Sequence, residues 1–154
     1  MEFKYKGIMK AGGFTVLINE SVHFPDSNVT LTGVDDYLLG YGDAEVAGKN
    51  PVETYNVVVC HEPDIIDELM SEPVDLMVSS HTHGGQIRIP FPKLSYLPPL
   101  GKKYSPGLFN FDNPAKTALY VNRGLGTTKI PARLFSTPEV TVIRIAPPSH
   151  RSSF

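Results

Sequence analysis

Apolar and polar positions alternate in the first third of the chain and change style after residue 55. Residues 14–19 alternate and are rich in β-formers, which predicts a strand. Residues 21–24 predict a short return strand. Pro25-Asp26-Ser27-Asn28 is a turn cluster, and residues 29–34 predict the next strand. This pattern suits an antiparallel meander with one wet face. Residues 40–51 form a polar connection with a short helix expected at 44–47. Residues 56–60 are then apolar almost without interruption, as in a strand covered on both faces. Pro63 fits the first turn of a helix, in which Ile65, Ile66, Leu69 and Met70 share one stripe. Asp64 near the start complements the helix dipole. Residues 74–78 predict a second buried strand. Strand, helix and strand in so short a span favour a parallel crossover.

The later chain predicts a strand at 86–89 and a long ordered loop at 90–106. Residues 107–111 and 117–122 predict a hairpin across Asp112-Asn113-Pro114-Ala115. An alternating last strand is expected at 139–145, and residues 147–154 form a polar, mobile tail. The expected class is α/β. Fourteen prolines and 13 glycines suit short strands and loops better than a helical bundle.

The candidate chemistry sits after the two buried strands. His61 follows the first, and His81-Thr82-His83-Gly84-Gly85-Gln86 follows the second. Ligands of open α/β sheets bind outside the carboxyl ends of strands, so parallel pairing would bring these histidines together although they are far apart in sequence. Imidazole is the commonest protein ligand for transition metals, and the Gly pair permits a tight turn around a small charged group. Metal ligation is therefore weighed against a polar turn for His81 and His83, and against an ordinary loop histidine for His61. His23 and His150 read as surface groups. Cys60 reads as a small core residue. Asp35-Asp36 reads as a turn cap. Arg123 and Arg133 suit either a phosphate contact or a structural turn.

The formal net charge of −2 gives no nucleic-acid footprint. The single cysteine excludes an internal disulfide framework. No apolar stretch approaches the roughly 18–20 residues needed to span a membrane. As written, the chain is expected to be cytoplasmic, or membrane-associated or exported if an N-terminal segment is missing.

Several boxes in order carry a resemblance. They are Gly33-Val34-Asp35-Asp36, Cys60-His61-Glu62-Pro63-Asp64, Val74-Asp75-Leu76 and Ser79-Ser80-His81-Thr82-His83-Gly84-Gly85-Gln86. Tyr120-Val121-Asn122-Arg123-Gly124-Leu125-Gly126 and Pro131-Ala132-Arg133 follow. Together they resemble the second half of a calcineurin-like metallophosphoesterase, in the bacterial branch with a GHTHGGQ box, with Ser80 where that box has Gly. The resemblance implies a two-sheet sandwich in α/β/β/α layers, with the N-terminal half absent. It makes residues 1–146 the C-terminal half of one such domain and 147–154 a tail. It implies two divalent ions in the complete site, drawn from Mn, Fe, Zn or Ni, with His61 and His81 on one and His83 on the other. The family's Asp-x-His, Gly-Asp-x-x-Asp and Gly-Asn-His-Asp/Glu boxes do not occur here. They supply the bridging carboxylate and the histidine that assists the transition state, so no catalytic residue is assigned in this chain.

The expected function is that of a metal-dependent phosphoesterase lacking part of its dinuclear site. The alternative is a non-catalytic remnant that binds metal or a protein partner. A phosphoester substrate and a complementing N-terminal half, or self-association, are the expected partners. A missing half should leave one side of the parallel sheet unpaired.

Overall fold

The structure, a computed structural model, describes residues 2–89, 94–95 and 97–146. A helix, α1 (Glu2–Ala11), precedes the sheet. Eight strands follow: β1 (Glu20–Phe24), β2 (Val29–Gly33), β3 (Tyr55–Val59), β4 (Leu76–Ser79), β5 (Arg88–Ile89), β6 (Leu94–Ser95), β7 (Gly107–Asn110) and β8 (Ala118–Val121). A short helix, α2 (Glu45–Gly48), lies between β2 and β3. Six strands form one sheet in the order β1-β2-β3-β4-β8-β7, while β5 and β6 make a separate antiparallel pair. Strands β2, β3, β4 and β8 are parallel, and β1 and β7 pair antiparallel on the outside. The α/β class is as expected, and so are the β3–β4 crossover and the β7–β8 hairpin.

One face of the sheet carries the core. Val58, Met77, Leu119 and Val121 are fully buried there against Ile65, Ile66, Leu69, Val74 and Ala47. The apolar stripe after Pro63 is therefore correctly oriented, but the segment Pro63–Leu69 winds as a 3-10 helix. Asp64 does more than complement a dipole. Its carboxylate accepts the backbone N–H groups of Lys102, Lys103 and Tyr104, anchoring the loop before β7. The opposite face is thinly covered: Val59 is 46% exposed, and Leu31, Val78 and Tyr120 are half-buried. Residues 56–60 are thus not covered on both faces along their whole length.

Four expectations need correction. Residues 14–19 are not a strand. Asn19 adopts φ 51°, and its Oδ1 accepts the amides of Asp35 and Asp43, so this stretch becomes a connector at the strand ends. Residues 139–145 are not a strand either. Their alternation is present, but among the described residues no neighbouring strand supplies a ladder, and Val140 and Val142 stand 75% and 91% exposed. The strand expected at 86–89 is shortened to β5, because the Gln86–Ile87 backbone turns to meet Leu134 instead. Finally, no parallel strand of the six-stranded sheet is an edge, because β1 and β7 occupy both edges. Residues 90–93, part of the expected loop, and the expected tail 147–154, with His150, lie outside the described residues.

Candidate active site

All four parallel strands point their carboxyl ends to the same side of the molecule. Asp35 and Asp36 follow β2, His61 follows β3, His81 and His83 follow β4, and Asn122 to Gly124 follow β8. The crossover therefore does bring the histidines together. His61, His81 and His83 line one cavity of about 490 Å³, with Gln86, Ile87 and Pro98 on its wall and Thr128, Lys129 and Ile130 on the facing loop. The rings of His61 and His81 meet edge to face, their centroids 4.8 Å apart.

The turn that carries the histidines is strained. His81, His83 and Gln86 have φ values of 59°, 49° and 44°, and Gly84 and Gly85 have φ values of 64° and 78°. Non-glycine residues rarely adopt this region, and it persists only where the surroundings fix it. Several bonds fix it here. The Thr82 Oγ1 accepts Gly84 N–H, Ser136 Oγ donates to the His83 carbonyl at 2.7 Å, and Ser80 Oγ donates to the Asn122 carbonyl. A Cβ on Gly84 would lie 2.5 Å from Ser136 Oγ, so this glycine is required for space as well as for its φ.

Arg133 is the hub of this architecture. Its Nη2 donates to the carbonyls of Arg123, Gly124 and Gly126 at 2.6–3.0 Å, and its Nη1 donates to those of His83 and Ser136. A guanidinium so occupied is structural, which resolves the two readings of Arg133. Arg123 pairs with Glu139 at 3.3 Å.

The same contacts orient the imidazoles. A backbone carbonyl only accepts, so His81 Nε2 must donate to Pro99 O at 2.8 Å, leaving the Nδ1 lone pair free in the neutral ring. His83 Nδ1 likewise donates to Gly126 O at 3.2 Å, leaving Nε2 free. Arg133 Nη2 also lies 3.4 Å from His83 Nδ1, but three nearer carbonyls take its two hydrogens. His61 presents an edge to solvent. Even so, the protein atoms around it remove hydration from its imidazolium, and His81 adds like charge, so its pKa is lowered from the ordinary value.

Imidazole nitrogens with fixed tautomers suit a transition metal, and a hydrogen bond from the second ring nitrogen is the usual way such a ligand is held. These residues fit part of a coordination shell. Among the described residues no group of three or more His, Cys, Asp and Glu is arranged to hold an ion unaided, and no carboxylate lines the cavity. The two acids that follow β2 have other tasks: Asp36 Oδ1 accepts Leu39 N–H, and Asp35 Oδ1 accepts Asp36 N–H.

The remaining candidates lie elsewhere. His23 sits on edge strand β1, its Nδ1 3.2 Å from Thr30 Oγ1. Cys60 is 1% exposed, and burial pushes its thiol up to about 12. It is expected to resist iodoacetamide at pH 8 in the folded chain and to react fully in denaturant, as mass spectrometry would record. Sequence reading missed the Gln86 side chain, which grips the facing loop through Thr128 and Ile130. It also missed Glu62, fully buried with Oε1 unpartnered among the described residues.

No family model and no solved structure matches the chain. Curated proteins do. An uncharacterized metallophosphoesterase of Bacillus subtilis, YkuE, is 39% identical over 92% of this chain and 50% of its own length. The phosphodiesterase YaeI of Escherichia coli is 32% identical over 89% and 49%. The UDP-2,3-diacylglucosamine pyrophosphatase LpxG of Chlamydia muridarum is 38% identical over 85% and 41%. The chain spans about half the length of the curated relatives it matches. No helix among the described residues is long and apolar enough to cross a membrane. With such identity to several metallophosphoesterases along most of its length, the chain belongs to the calcineurin-like metallophosphoesterase family.

Proposed function

We propose that this chain forms the imidazole side of the metal centre of a phosphoesterase, and that the remaining ligands come from polypeptide equivalent to the other half of its relatives' length. The observation that carries the proposal is the convergence of His61, His81 and His83 in one cavity at the strand ends. Two further observations support it. Relatives named a phosphodiesterase and a pyrophosphatase both cleave bonds to phosphorus. The thinly covered sheet face and the exposed Val140 and Val142 present surface that a second layer of a two-sheet sandwich would cover.

In this reading His61 and His81 hold one divalent ion and His83 the other, drawn from Mn, Fe, Zn or Ni. Bound ions would neutralise phosphoryl oxygens and lower the pKa of a nucleophilic water. The chain's own contribution is orientation. Pro99 O and Gly126 O set the tautomers of His81 and His83, and the Arg133–Ser136 bonds hold the strained turn that carries them.

Charge sets what the chain can do alone. Two dications about 4 Å apart repel strongly, and neutral imidazoles do not offset that repulsion. The isolated chain is therefore expected to hydrolyse bis-p-nitrophenyl phosphate with Mn²⁺ no faster than buffer with Mn²⁺. Turnover that survives repurification and disappears in His81→Ala would contradict the need for further ligands. The absence of a cavity carboxylate also favours a second reading, a non-catalytic domain that binds metal or a protein partner. That reading requires that no added half ever restore hydrolysis.

A further inference from the structure

We infer that Lys129 is an anion-binding residue of this cavity, and that it works with Ile87, Pro98 and Ile130 to select phosphoesters bearing an apolar group. The inference rests on the reading of the cavity as a phosphoester site, and adds to it a residue and a substrate class.

The loop carrying Lys129 is built, not merely nearby. The Gln86 amide brackets it: Nε2 donates to Thr128 O at 3.0 Å and Ile130 O at 2.8 Å, while Oε1 accepts Thr128 N–H at 2.8 Å. Ile130 N–H closes a tight turn on Thr128 O, and Leu134 N–H returns to Gln86 O. Between the two clamped residues Lys129 is held at φ 58°. A lysine in that region is strained, and the clamp on both sides maintains it. The loop thus faces the histidines from a fixed position.

The charge of the cavity has one sign. Lys129 is its only permanently charged lining residue among those described, and no Asp or Glu lines it. Among the described residues Lys129 has no carboxylate partner. The ammonium can therefore meet a phosphoryl oxygen without first breaking an ion pair. Ile130, 54% exposed, and the lining residues Ile87 and Pro98 are apolar, so a leaving group with apolar surface would gain by covering them. A volume of about 490 Å³ accommodates a small organic phosphate.

The test is calorimetric titration of the chain, metal-free and at low salt, with inorganic phosphate and with phenyl phosphate. Phenyl phosphate is expected to bind about tenfold more tightly, for partial burial of one ring. Lys129→Met is expected to weaken both ligands about fivefold, the scale of an exposed ion pair, with Lys129→Arg close to the parent. Ile130→Ala should weaken phenyl phosphate alone. Gln86→Ala, which frees the loop without removing the charge, should weaken both ligands less than Lys129→Met does. Unfolding midpoints identify any variant whose fold is damaged, and the comparison of the two ligands on the parent chain needs no variant. Equal affinity for the two ligands, no binding by the parent chain, or no effect of Lys129→Met would overturn the inference. Failure of the metal reading is seen separately, in a Mn²⁺ titration that His81→Ala leaves unchanged.

Discussion

Arg133→Ala is expected to destabilise the chain by about 2–4 kcal/mol, far more than a half-exposed surface residue normally would. Five backbone carbonyls, those of His83, Arg123, Gly124, Gly126 and Ser136, receive its guanidinium. Hydrogen bonds from a charged donor are each worth more than neutral ones, and removing the donor leaves several acceptors underused at once. The effect should also be local in a way simple destabilisation is not. The turn at residues 83–86 holds four consecutive positive-φ residues, from His83 to Gln86. Without Arg133 only the Ser136 hydroxyl and the Gln86 N–H within the turn itself would still hold the His83 carbonyl. Amide exchange should therefore accelerate at Gly84, Gly85 and Gln86 before it does in β3 or β4. Arg133→Lys should recover little, since an ammonium cannot span five acceptors in a plane. A variant as stable as the parent, with unchanged exchange in the turn, would show that the hub is dispensable.

The second large effect concerns metal affinity. In Mn²⁺ or Zn²⁺ titrations, His81→Ala and His83→Ala are each expected to weaken specific binding by about 100-fold, and His61→Ala by a similar factor, on the scale by which metal-site shells alter affinity. His23→Ala should leave binding unchanged, because His23 lies on β1 beside Thr30, away from the cavity. His150→Ala serves as a control outside the described residues. Equal losses from His23→Ala or His150→Ala, or none from His81→Ala and His83→Ala, would remove these residues from the metal site.

Much of the frame was legible because it rests on local pattern. The stripe of Ile65, Ile66 and Leu69 and the hairpin around Asp112 form where their pattern says they should, while β3 buries Val57 and Val58 but leaves Val59 exposed. The His61 to His83 convergence followed from parallel pairing alone. What could not be read depends on partners distant in sequence. Residues 139–145 have a strand's alternation, yet a strand exists only where a neighbour offers its backbone. Asn19 ends the first β-like stretch because its side chain is used by Asp35 and Asp43, more than fifteen residues on. Arg133 offered phosphate binding and turn-building equally. Only the surrounding ring of carbonyls decides between them. The Gln86 clamp is invisible for the same reason: nothing in a glutamine's identity says that its amide brackets residues some 40 positions later.

The most direct measurement is hydrolysis of bis-p-nitrophenyl phosphate by this chain co-purified with an N-terminal half from a related enzyme, with Mn²⁺ and with the chain alone as reference. A stable complex should form over the thin sheet face and residues 139–145, bind two metal ions, and turn over substrate that neither part hydrolyses alone. His81→Ala in this chain should abolish that turnover. A complex that binds two ions yet cleaves no phosphoester would contradict the catalytic reading. A chain that is already monomeric, unfolds cooperatively and ignores the added half would contradict the view that its metal centre is shared.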